Sequence, residues 1–149
     1  MVAVYDDGAL YATPALDVAR FTTAGKRLIH ITATGETLTA QFGDVENGDL
    51  DEPGARDWRS RQAAARLAQG GVYGSLSRLG AVVAVCGRVP LWAAHYTYSA
   101  HVCSEACRAD APNLPADFDW SLIVGTQYAD HGPNGEHYDM SLMTPTPPS

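Results

Sequence analysis

The stretch QFGDVENGDLDE, residues 41–52, runs an apolar approach into five carboxylates, Asp44, Glu46, Asp49, Asp51 and Glu52. Residues two apart on an extended segment project from the same face, with about 6.6 Å of rise between them. Asp44 and Glu46 are thus spaced as a carboxylate pair suited to glycoside hydrolysis, in which one group is a protonated acid and the other is ionised. Backbone spacing leaves retaining and inverting chemistry open, because side-chain direction changes the carboxyl separation by more than the two classes differ. Two plainer readings stand beside it. One is a solvated turn rich in Asp, Asn and Gly. The other is a calcium loop drawing oxygens from Asp44, Glu46, Asp49 and Asp51, although its glycine and terminal glutamate miss the EF-hand offsets.

Nucleophilic chemistry has weaker support. YGSLS is not a G-x-S-x-G elbow, and Cys103 and Cys107 have no evident basic surroundings. The chain holds three cysteines, an odd count, and HVCSEAC (101–107) sets two of them four apart. That spacing suits a local Cys103–Cys107 disulfide first and free thiols second. Zinc held with His101 or His95 comes last, since the spacing is not C-x-x-C and no second pair exists. Cys86, within AVVAVCG, reads as a small buried apolar residue.

The elements that must position these groups follow from periodicity and stop signals. MVAVYDDG is a short buried strand ending in Asp6 and Asp7. TPALDVARFTTAG is a helix with Thr13 as cap, Pro14 at its first position and Gly25 at its stop. KRLIHITATG and LTAQFGDVE give the next two strands, the second also ending in acids. DEPGARDWRSRQAAARLAQGG is the clearest helix, with Pro53 near its start and Gly70-Gly71 at its stop. VYGS, VPLWAAHYTYS, WSLIVGTQYAD and HYDMSLM supply further strands, Leu76 to Cys86 a helix, and residues 100–119 a loop. Strands are expected near residues 2–6, 28–33, 39–45, 72–74, 90–96 and 121–127.

Strands alternating with helices favour a parallel α/β sheet or barrel, whose chemistry collects at strand C-termini. Those ends carry Asp6 and Asp7, then Asp44 and Glu46, then His95 and Tyr96, then Gln127, Tyr128 and Asp130. Aromatic rings at such ends can stack on sugar faces, a role open to Tyr96 and Tyr128, whereas Trp92 within its strand reads as core. A chain of 149 residues with 46% hydrophobic and 18% charged residues is one globular domain. We take residues 1–143 as that domain and 144–149 as a proline-rich tail. A net charge of −7 argues against a nucleic-acid binder. Arg56, Arg59, Arg61 and Arg66 cluster at spacings that put them around the outer side of one helix, a solvated face. No apolar run is long enough to span a bilayer, and the acids at positions 6 and 7 come too early for a signal peptide. The expected location is therefore the cytoplasm when made, with release by lysis or assembly into a particle as routes out.

Taken in order, YDDG, FGDVENGD, VYGS, PLWAAHYT, GTQYAD and YDMSL resemble the motif series of family 25 glycoside hydrolases, the muramidases of bacteria and their phages. They are more similar still to a shorter glycoside-hydrolase-like group from actinobacteria and their phages. The resemblance covers about residues 2–143 and implies a contracted or incomplete parallel β/α (TIM-like) barrel. By position it makes Glu46 the general acid, Asp44 the carboxylate two residues before it, and Asp7, or Asp6, the acid of the first strand. It places Tyr96, Gln127 and Asp139 along a glycan groove. It implies peptidoglycan or another cell-surface glycan as partner and requires no metal or organic cofactor. The chain is short for an eight-unit barrel, which takes about 200 residues or more. The alternative is therefore a non-catalytic virion structural or attachment protein, of capsid or tail, that keeps the fold and meets copies of itself or other virion proteins.

Overall fold

A computed structural model of the protein describes residues 1–8, 12–131 and 139–144. The elements are β1 (Val2–Tyr5), α1 (Ala15–Thr23), β2 (Leu28–Thr32), β3 (Phe42–Val45), α2 (Glu52–Ala64), β4 (Gly71–Ser75), α3 (Leu79–Cys86), β5 (Leu91–Ala94), β6 (Ile123–Ala129) and β7 (Met140–Met143). Strand order follows chain order from β1 to β7. The pairs β1–β2, β2–β3, β4–β5 and β5–β6 are parallel, while β7 runs antiparallel to β6. This is an incomplete parallel β/α barrel, as expected, with β7 as the exception to a parallel sheet. The chain forms two compact units, Met1–Gly71 and Val72–Ser149.

In the first unit α2 is the main support. Asp51 caps it by accepting a 2.7 Å hydrogen bond from the Gly54 amide, which satisfies one of the donors that a helix start leaves unpaired. Trp58 and Gln62 of α2 are fully buried. The Trp58 indole donates to the Thr37 carbonyl at 3.1 Å. The Gln62 amide donates to the carbonyls of Leu38 and Ala40 at 2.9 and 3.0 Å and accepts from the Gly70 amide at 2.8 Å. Buried polar groups persist when paired in this way, and here they lash the loop ahead of β3 to the helix. A Cβ on Gly43 would sit 3.1 Å from the Trp58 ring, so Gly43 faces α2. By strand alternation Phe42 and Asp44 face the opposite side of the sheet.

The expected stop of α2 at Gly70-Gly71 is corrected: the helix ends at Ala64. Arg66 adopts a left-handed φ of 59°, and the Leu67 amide reaches back to the Gln62 carbonyl while the Arg66 amide reaches Ala63. That is the Schellman pattern, with arginine where glycine is usual. Nor are all the arginines only a solvated face. The Arg59 guanidinium donates to the Gly70 carbonyl and the Arg61 guanidinium to Gly35.

The second unit buries Val72, Leu79, Val82, Leu91 and Val124, and Trp92 lies in the core beside Tyr73 as its strand position predicts. Helix α3 ends at Gly87, with φ 72°. Cys86 is half-buried rather than buried. Between β5 and β6 the chain has no α-helix, only the 3-10 segments Glu105–Asp110 and Trp120–Leu122. The proline-rich tail from residue 145 lies outside the described residues.

Candidate active site

The first unit brings its acids to the C-terminal ends of β1 and β3, the two parallel strands that flank β2. Asp6 and Asp7 follow β1 directly, Asp44 is the third residue of β3, and Glu46 follows β3. Asp44 is 1% exposed, and the Tyr5 hydroxyl, two strands away, donates to its Oδ2 at 2.6 Å. That bond confirms the side of the sheet deduced from Gly43. Glu46 is half-buried at the head of a turn in which the Asp49 amide donates to the Glu46 carbonyl and the Leu50 amide to Asp44. Gly48 supplies the left-handed φ of 100° the turn requires. Asp51, a fourth oxygen source in the calcium reading, is turned to cap α2.

Asp7 accepts four hydrogen bonds: from the Thr32 hydroxyl at 2.6 Å and from the amides of Ala33, Thr34 and Thr37 at 2.7, 3.0 and 3.1 Å. Burial alone raises its pKa. The bonds from Thr32, Thr34, Thr37 and Ala33 together outweigh burial and hold the carboxyl below its ordinary value. Asp49 is shifted the other way, raised first by burial and then by the charge of Asp7. Asp6 is engaged separately, with His30 Nδ1 at 2.7 Å.

The other expected glycan-groove residues belong to the second unit. Tyr96 is exposed, Tyr128 half-buried and Gln127 3% exposed. Gln127 Oε1 accepts from the Tyr73 hydroxyl, and its side chain also bonds to Asp139. Burial, then the charge of Asp130, raises the Asp139 pKa, with the Gln127 bond partly opposing. Gln127 is thus a link from β4 to the start of β7. No disulfide joins Cys103 and Cys107, contrary to expectation. Both are free thiols, with Cys103 Sγ turned to the imidazoles of His95 and His101 at 3.3 and 3.6 Å. Burial pushes the Cys103 thiol up to about 12, against the pull of the Thr126 hydroxyl and with Cys107 and Asp110 adding to it. It is no thiolate nucleophile at neutral pH.

Sequence reasoning missed Tyr5 and Tyr73, and it read Asp49 only as an oxygen source for calcium. The signal for Tyr5 was available: it precedes the Asp6-Asp7 pair and, unlike Val4, carries a polar tip that needs a partner when buried. Nothing local marks Tyr73 as the partner of a residue 54 positions later.

No model of a known protein family and no curated protein matches the sequence. Two solved structures share its fold. One is a glycosyl hydrolase 25 of Streptococcus pneumoniae, described as a virulence factor participating in host cell invasion. It is 13% identical with a TM-score of 0.57 over 97% of this chain and 74% of its own. The other is the muramidase from Acremonium alcalophilum, 15% identical with a TM-score of 0.50 over 97% of this chain and 81% of its own. Among the described residues no helix is long and apolar enough to cross a membrane.

Proposed function

We propose that the chain is a muramidase-type glycoside hydrolase that cleaves a glycosidic bond of peptidoglycan. The observation that carries this reading is Asp44, a carboxylate 1% exposed on the sheet face away from α2, gripped by Tyr5 and placed two residues before Glu46. A buried carboxylate is costly unless it is hydrogen-bonded, and a plain surface turn needs none. The likeness of the fold to a glycosyl hydrolase 25 and a muramidase supports the same class.

In this mechanism Glu46, at the strand end, carries the proton. The bond between the anomeric carbon and the bridging oxygen breaks with both electrons going to oxygen, which takes the proton from Glu46. Asp44 and Asp7, ionised, stabilise the positive charge left on the sugar, and water then adds to the anomeric carbon while its proton returns to Glu46. Asp7 suits an ionised role because its four donors favour the charged form. In the second unit Tyr96 and Tyr128 offer ring faces for sugars, and Gln127 positions Asp139.

The test uses purified protein on cell walls, scored for new reducing ends. Glu46→Gln is expected to lower the rate by about 10²–10⁴-fold, the usual contribution of general acid catalysis. Equal activity in the wild type and the variant would sink the assignment. A wild-type chain that releases no reducing ends but assembles into particles would favour the virion protein instead.

A further inference from the structure

We propose that His95, His101, Cys103 and Cys107 bind a zinc ion as a closed structural centre in the second unit. One ligand atom from each lies within 4.8 Å of all the others. His95 Nδ1 is 3.1 Å from His101 Nε2, and Cys103 Sγ is 3.3 and 3.6 Å from these two nitrogens. Tetrahedral zinc with bonds of about 2.3 Å to sulfur and 2.0–2.1 Å to nitrogen has edges of about 3.3 Å between nitrogens and 3.6 Å from nitrogen to sulfur. The three distances among His95, His101 and Cys103 match those edges to within a few tenths of an ångström, and Cys107 Sγ, within 4.8 Å of each of these atoms, completes the set.

The surroundings fix which atoms face inward as ligands. His101 Nδ1 lies 2.7 Å from the Ser99 carbonyl, which can only accept, so this nitrogen carries the proton and Nε2 presents its lone pair to the cluster. His95 Nε2 lies 3.3 Å from the Asp110 carboxylate, which leaves Nδ1 as the inward lone pair by the same logic. Two lone pairs facing each other at 3.1 Å repel unless a proton or cation lies between them. Outward bonds from ligating imidazoles to a carboxylate and a backbone carbonyl are the usual support of a zinc site.

Four protein ligands leave no open position, and Cys103 and Cys107 are 2% and 8% exposed, so the centre is structural rather than catalytic. Its place in the fold gives the reason for it. The link from β5 to β6 has no α-helix to pack it down, and the cluster joins the end of β5 to the 3-10 segment Glu105–Asp110. The Cys103 amide donates to Thr126 of β6 at 2.8 Å. On binding, two thiols release two protons to solvent, and the two thiolates balance the charge of the ion.

The experiment is metal analysis of the full-length chain, expressed with zinc and purified without chelator. The expected result is one zinc per chain, replaceable by cobalt(II) with the visible bands of a tetrahedral centre and sulfur-to-cobalt charge transfer. Cys103→Ser/Cys107→Ser loses both, and Cys86→Ser keeps both. Asp110→Asn keeps the stoichiometry but weakens zinc affinity about 10–100-fold. The proposal is overturned by metal-free wild type whose mass rises by two hydrogens on reduction and which then takes up no zinc. Zinc held equally by the double variant also overturns it. Should the variants fail to fold, a wild-type cobalt spectrum without sulfur charge transfer overturns it on its own.

Discussion

Asp7 and Asp49 are carboxylates of one unit whose environments push them in opposite directions, and the pair yields a signed prediction. Asp7 is held below its ordinary value. Its stabilisation is therefore fully present above the unfolded value of about 3.9 and is lost as pH falls through the lower folded value. Asp49 is raised, so its ionisation costs stability: the fold is favoured at low pH and loses that advantage as pH rises through the raised value. Asp7→Asn is expected to destabilise the protein at pH 7 by about 1.5–3 kcal/mol, the range for hydrogen bonds to a charged group. Asp49→Asn is expected to stabilise it at the same pH. Denaturant titrations at pH 7 and near pH 3 check both signs, and a double-mutant cycle should show the two sites coupled. Tyr5→Phe isolates a different bond. Removing the hydroxyl that donates to Asp44 should cost about 1–3 kcal/mol, read from the same denaturant titrations.

Helix α2 shows what an element needs beyond its hydrophobic pattern. Its start was legible, because Pro53 near the head of the segment is a local start signal, while the cap that Asp51 provides came from the structure. Its end was not, because Gly70-Gly71 imitates a stop. Gly70 is small for another reason: a Cβ there would meet the Trp58 ring at 2.4 Å and the Gln41 carbonyl at 2.7 Å. Only the tertiary packing of Trp58 reveals this. The true C-terminus sets Arg66 at φ 59°, a region that costs a side-chain-bearing residue about 1–2 kcal/mol. Arg66→Gly should therefore stabilise the protein by about 0.5–1 kcal/mol after its entropic penalty and raise the melting temperature by about 2 °C. Gly70→Ala should lower stability by about 1–3 kcal/mol through overpacking. The acids at the ends of β1 and β3 were legible for the opposite reason to Gly70, since strand ends and residue alternation are local properties. The partnerships Tyr5–Asp44 and Tyr73–Gln127 join residues far apart in the chain, and no window of sequence contains both members.

At the scale of the whole chain, the two units draw their order from different sources. The first has α2 with Trp58 and Gln62 as a packed outer layer. The second lacks a helix between β5 and β6, and the proposed zinc centre would supply that link's cohesion. The sequence showed the four ligand residues but not their convergence, because His95 and His101 with Cys103 and Cys107 fit no regular metal-ligand spacing. Only the turn after β5 brings them within 4.8 Å. Where a site is not preformed in the unfolded chain, metal binding free energy is folding free energy. Stripping zinc from the intact protein should therefore loosen the second unit selectively. Hydrogen exchange before and after chelation tests this directly. Amides in residues 95–110 should lose protection first, followed by those of β5 and β6 that bracket the link, while the amides of β2, β3 and α2 keep theirs. Equal loss across both units would mean that the metal acts on global stability, and no change in residues 95–110 would mean that the loop holds itself without the ion.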